Sequence, residues 1–199
     1  VASFSSSADI TADNGTLAVM TSTDNITWTG TFTPTANEND WTNVLSLGTS
    51  YIDTAGNTGI DNRTSNYVVD TVAPTVSLTS PTDNQCWPIT GDITVTFDGS
   101  MQISNIETNT TDATCSGTIG VSPDNFTTEP ENCVQMSILS PVSSSNNKTF
   151  TLVPHDNLSY YTTYKIRVKA GLRDSAGNLS IEDNSSFYTS SSPSSHSSS

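Results

Sequence analysis

The pattern Asp-x-Ala-Gly-Asn occurs twice in this chain, at 53–57 and at 174–178. Each copy follows a run of alternating apolar and polar residues and precedes another. The chemistry is that of a loop between strands. Gly adopts a positive φ without a Cβ clash, and Asp and Asn side chains bond to their own backbone. One such match would say little. Two copies in equivalent places within 199 residues point to two related β-sandwiches.

The flanking runs carry the period-two signature of strands. Residues 1–72 read as a first domain, with strand-like segments at 8–11, 16–21, 26–34, 43–48 and 66–70. In ITWTGTFTP, alternation puts Ile26, Trp28, Gly30 and Phe32 on one face, predicted buried, and four Thr on the other. Pro74, which lacks a donor, marks the boundary. Residues 73–190 read as a second domain. There Ile93, Val95 and Phe97 alternate with Thr94 and Thr96, and Tyr164, Ile166 and Val168 with Lys165, Arg167 and Lys169. Ser and Thr together are about a third of the chain, and turn residues recur about every 8–12 positions. The fold class is therefore all-β. Residues 191–199 read as a disordered Ser-rich tail or linker, without the apolar alternation a donor strand needs.

Twenty acidic residues face six basic ones, for a net charge of −14. That balance disfavours nucleic acid and anionic membrane surfaces as partners. No apolar run approaches the roughly 18–20 residues of a spanning helix, so membrane insertion is not expected. The absence of a signal pattern and of an initiator Met reads as a mature product or a piece of a longer chain. The outward basic residues of 162–172 read as a solvated or lysine-protected sheet face, or as a stripe for an acidic partner. Cys115 and Cys133 bracket a turn-rich loop. They form either a disulfide or two buried thiols. Cys86 is the odd cysteine, expected to be buried beside Trp87 or else paired with another chain.

ADITADNGTL, ITWTGTFTPTAN, the DTAGN loop and YVVDTVAP in the first domain resemble bacterial Ig-like repeats of large adhesins. SPTDN, ITVTFDGSM, TCSGTIGVSPDNF, CVQM, KTFTLVP, TTYKIRVKAGLRDSAGN and FYTS in the second resemble the Ig-like type also met in S-layer proteins. The resemblance implies two tandem Ig-like sandwiches on the bacterial cell surface or secreted. It also implies calcium at domain junctions, for which Asp53, Asn57, Asp61 and Asp70 are the candidate ligands, with Asp174 and Asn178 as a second cluster. The alternative is that these acids only shape turns. Aligning Asp53 on Asp174 leaves the first domain without a counterpart to residues 75–100. It therefore lacks about two opening strands, either because the chain is a fragment or because a neighbour donates them head-to-tail.

No nucleophile motif accompanies His155, and the carboxylate pairs Glu129/Glu131 and Glu182/Asp183 lie in polar loops. The expectation is a non-enzymatic stalk or fibre segment. Its expected partners are itself, neighbouring Ig-like domains, and a surface receptor or glycan. The alternative is an accessory or carbohydrate-binding module of a secreted enzyme, with Trp41 and Trp87 as contacts.

Overall fold

In a computed structural model, residue 1 and residues 3–190 are described; the Ser-rich tail expected at 191–199 lies outside them. The chain divides into two units, one of Val1–Val72 and one starting at Ala73. Among the described residues no helix is long and apolar enough to cross a membrane.

The first unit opens with one helical turn, α1 (Ser6–Asp9). Seven short strands follow: β1 (Ile10–Ala12), β2 (Gly15–Leu17), β3 (Phe32–Pro34), β4 (Asn39–Asn43), β5 (Leu45–Leu47), β6 (Asn62–Arg63) and β7 (Tyr67–Asp70). They pair as β1-β5-β6, β2-β3 and β4-β7, all antiparallel. Asn14, at φ 47°, makes the turn between β1 and β2, as an Asn-Gly pair does readily. Its side-chain amide donates to Asp40 and Asn43 at 2.8 Å each. The buried Asn43 in turn donates to the carbonyls of Asp40 and Tyr67. Of this unit's described apolar side chains, Val69 is the one that is fully shielded.

The second unit holds β8 (Val76–Ser80), β9 (Gln85–Trp87), β10 (Ile93–Phe97), β11 (Ile119–Ser122), β12 (Val142–Ser144), β13 (Thr149–Leu152), β14 (Thr163–Val168) and β15 (Asp183–Thr189). A short 3-10 turn occupies Ile103–Asn105. One sheet runs β12-β13-β10-β8 and the other β11-β14-β15-β9. All pairings are antiparallel except β15 with β9. Alternation determines what lies between the sheets. Ile93, Val95, Phe150 and Leu152 from one sheet are wholly buried in one cluster with Ile119, Val121, Ile166, Val168 and Phe187 from the other. The Thr residues between them face outward, where Thr96 and Thr149 hydroxyls meet at 3.1 Å across the ladder.

Three expectations need correction. The run 26–34 is not a continuous strand. Only Phe32–Pro34 joins a ladder, and Ile26 is 82% exposed. The face that alternation marked as buried has no opposing strand over most of its length. Arg167 is not solvated. Its guanidinium forms a two-pronged ion pair with Glu131 at 2.9 and 2.5 Å and lies 3.9 Å from the Phe126 ring centroid. Cys86 is exposed, not buried beside Trp87.

Candidate assembly site in the first unit

The two units can be laid on each other by number, because Asp53 and Asp174 are 121 residues apart. With that shift, the pairs Ser46↔Arg63 and Leu47↔Asn62 of β5–β6 become Arg167↔Asn184 and Val168↔Asp183, which are the observed pairs of β14–β15. The neighbouring strands agree too: Ile10↔Leu47 and Ala12↔Leu45 correspond to Ile119↔Val168 and Val121↔Ile166. The sheet β1-β5-β6 is thus the first three strands of β11-β14-β15-β9. The hairpin β2–β3 takes the place of β12–β13. Nothing among the described residues of the first unit takes the place of β8, β9 or β10.

Burial registers the difference. Ile119, Ile166 and Val168 are at most 1% exposed, enclosed by the β10–β13 sheet. Their equivalents Ile10, Leu45 and Leu47 are only half-buried. With Asn62, Arg63 and Thr64 they line an open groove of about 260 Å³. Elsewhere in the unit Phe4, Trp28 and Tyr51 cluster, with Phe4 and Trp28 rings 4.8 Å apart. Phe32 packs edge-on against Tyr67.

The free edge of β3 can be read from hydrogen-bond parity. Ala18 N–H donates to Thr31 C=O and Thr35 N–H to Asn14 C=O, both at 2.9 Å. In an antiparallel ladder alternate residues face alternate sides. Thr31, Thr33 and Thr35 therefore bond toward β2, whereas Gly30 and Phe32 direct N–H and C=O to the opposite edge. Pro34 adds a carbonyl there and no donor.

Of the expected calcium ligands, Asp53 and Asn57, and likewise Asp174 and Asn178, bond to each other within their own turns. Asp53 Oδ1 accepts from Ala55 N–H and Asn57 N–H, and Oδ2 from the Asn57 side-chain amide, each at 2.8 Å. These bonds, the one from the Asn57 side chain first, hold the Asp53 carboxyl below its ordinary pKa. The second copy repeats the turn. Asp174 Oδ1 accepts from Gly177 and Asn178 N–H at 2.7 and 2.8 Å, and Asn178 Nδ2 donates to Oδ2 at 2.9 Å. Gly56 and Gly177 have φ of 87° and 98°. Asp70 accepts from Val72 N–H, and Asp61 is exposed. Among the described residues no three His, Cys, Asp or Glu side chains come together to hold a metal ion. Both carboxylate oxygens of Asp53 and of Asp174 accept bonds within their turns.

Cys115 and Cys133 are joined, with Cα atoms 5.2 Å apart. Their loop is fastened to β14, because Lys169 Nζ donates to Cys115 C=O at 3.0 Å and Arg167 holds Glu131. The basic stripe therefore has an acidic partner within its own chain. Its hydrogen bonds lower the Glu131 pKa. His155 lies 3.3 Å from Asp156 in an open turn.

Family models of the bacterial Ig-like domain match residues 1–69 and 70–189.

This chain belongs to the bacterial Ig-like domain family.

No curated protein matches it. Its Ig-like fold is similar to solved fragments of the bacterial S-layer protein SbsC. A fragment of residues 31–844 shares 18% identity, with TM-score 0.42, over 60% of this chain and 14% of that one. The N-terminal part of the protein gives 20%, 0.41, 60% and 24%, in the same order. A structure of domains 1–6 gives 21%, 0.38, 62% and 15%. The Ig-like chain thus spans under a quarter of each.

Proposed function

We propose that this chain is a non-enzymatic structural segment of a bacterial cell-surface protein or extracellular filament. Ig-like units in series form its stalk, and the first unit is the joint at which a neighbouring molecule adds a strand. One observation carries the reading: the same frame is present twice, once closed and once open. The closed unit buries its apolar faces and fastens its longest loop with a disulfide, which suits a spacer. The open unit leaves an apolar groove on β1-β5-β6 and an unpaired edge on β3, which suits a joint. The acidic residues support a structural role, because Asp53, Asp112 and Asp124 accept bonds within their own loops and Asp83 accepts from Ser186 on β15.

Negative-stain electron microscopy of the native material, with and without a chelator, tests this. Filaments with a repeat near the length of two units support the joint, and isolated short particles at every concentration remove it. Since Asp53 and Asp174 accept bonds at both carboxylate oxygens within their turns, chelation is expected to leave the particles unchanged. The carbohydrate-binding alternative draws on Trp41, which is 68% exposed on β4. Quenching of fluorescence by polysaccharide that disappears in Trp41→Ala would favour it.

A further inference from the structure

We infer that Asn14-Gly15 is a site of self-modification that acts as a one-way switch. The folded first unit holds back cyclisation of the Asn14 side chain onto the Gly15 nitrogen. A residue that has cyclised and reopened no longer fits its place. An Asn-Gly pair closes readily, because no side chain on the second residue shields its nitrogen. The chain holds one such pair.

Packing requires both members of the pair. At Gly15 an added Cβ would stand 2.2 Å from Phe32 Cζ and 2.7 Å from the Thr33 carbonyl oxygen, well inside the roughly 3.5–4.0 Å of ordinary carbon contact. Phe32 is itself set against Tyr67, with ring centroids 5.5 Å apart. Position 14 has a left-handed backbone, φ 47°, which Asn tolerates. Asn14 Nδ2 gives one proton to Asp40 Oδ2 and the other to Asn43 Oδ1, both at 2.8 Å. Asn43 is wholly buried, and its own amide is committed to the carbonyls of Asp40 and Tyr67. It therefore presents only an acceptor to residue 14.

The nucleophile is not tied up by the neighbouring strand. Thr35 N–H donates to Asn14 C=O, so by ladder alternation Gly15 directs its N–H away from β3. In the reaction Gly15 N forms a bond to Asn14 Cγ and loses its proton. The Cγ–Nδ2 bond breaks, and ammonia leaves with that proton. Water then opens the five-membered imide at either carbonyl, leaving Asp or isoaspartate. In the folded unit Cγ must swing clear of both bonds to Nδ2 before the ring can close, so the reaction waits on local opening. Afterwards a carboxylate faces Asp40 Oδ2 and Asn43 Oδ1, two acceptors of which one is charged. The isoaspartate form also lengthens the main chain by one carbon where β2 begins, against the register Gly15↔Pro34.

The full chain is held in mildly alkaline buffer, with and without denaturing urea, and peptides covering Asn14-Gly15 are followed by mass spectrometry. Conversion of Asn14 is expected in urea, and in buffer it should be slower by about tenfold or more. Chain converted in urea and returned to buffer should show the melting midpoint of the first unit lowered by about 4 °C or more, as should Asn14→Asp. The midpoint of the second unit should not move, which shows that the chain has refolded. Conversion that is as fast in buffer as in urea overturns the restraint. An Asn14 that stays intact through prolonged urea overturns the chemistry. A converted chain and an Asn14→Asp variant that both melt with the parent would show the carboxylate accommodated, and would overturn the switch.

Discussion

Asp174 and Asp53 make the same turn under different cover. Asp174 is 5% exposed, and its loop bonds to the segment after β10, through Ser175 N–H to Ser100 C=O and Gln102 N–H to Arg173 C=O. Replacing it with Ala orphans two backbone donors in a buried place, so Asp174→Ala should cost about 1–3 kcal/mol in urea unfolding. Asp53→Ala, in an exposed loop, should cost visibly less. An equal cost at both sites would remove burial as the cause. At Gly177 an added Cβ meets nothing within 4 Å, so Gly177→Ala isolates the left-handed backbone and should cost about 1–2 kcal/mol. Acid titrates the same kind of contact. Asp24, bonded first by Thr27 and then Ile26 N–H, has a pKa of about 2 against an ordinary 3.8. Asp53, Asp112 and Asp124 are also lowered, chiefly by their own hydrogen bonds. Between those values the unfolded chain binds more protons than the folded one, so stability rises with pH there. The melting midpoint should therefore fall as pH drops from 3.8 toward 2. Asp183, raised by burial, acts in the opposite sense above pH 3.8, where its contribution is lost as pH rises through its folded pKa. A midpoint that is flat or rising on acidification would contradict the assignment. The repeated turn was legible in the sequence because every bond in it lies within five residues. The Arg167–Glu131 pair was not, because its partners are 36 residues apart and meet through the pairing of β11 with β14 and the loop that follows β11.

Strands were legible in proportion to how completely they are covered. Ile93–Phe97 and Thr163–Val168 alternate and are buried on alternate residues, so pattern and outcome coincide. ITWTGTFTP alternates as cleanly, yet Gly30 is exposed and only three residues enter a ladder. Periodicity reports which face wants cover and is silent on whether the cover is present. The loop closed by Cys115–Cys133 is the element whose contribution can be measured directly. With a separation of 18 residues, the chain-entropy model assigns the link about 3 kcal/mol. Cys115→Ser/Cys133→Ser should lower the urea stability of the second unit by about that amount. A change well below it would mean that the β11–β14 ladder, the buried Ile119 and Val121, and the bonds of Arg167 and Lys169 already hold the segment without the link.

The difference in apolar cover between the two units should appear in unfolding. The first unit shields Val69, whereas the second encloses a continuous core. Calorimetry of the full chain should resolve two transitions, with the first unit melting earlier. Chelator should shift neither, because Asp53 and Asp174 are engaged in their turns. A single cooperative transition, or a chelator-sensitive one, would refute this account of where the stability lies. The first unit's incompleteness could be read from the missing counterpart to residues 75–100. Its consequence, an edge at Gly30 and Phe32, needed the hydrogen-bond parity. One further pairing matters if the second unit is loaded along the chain, as the proposed stalk would load it. In the second unit, β9 lies near the start of the fold and β15 at its end, and they run parallel through Gln85↔Phe187, Cys86↔Tyr188 and Thr189↔Trp87. Tension applied at the two ends of that unit pulls these neighbours in opposite directions along their own axes. Their hydrogen bonds are then loaded together, in shear, instead of being peeled apart one at a time. The parallel pair thus acts as a clasp, and its rupture sets the force at which the unit yields.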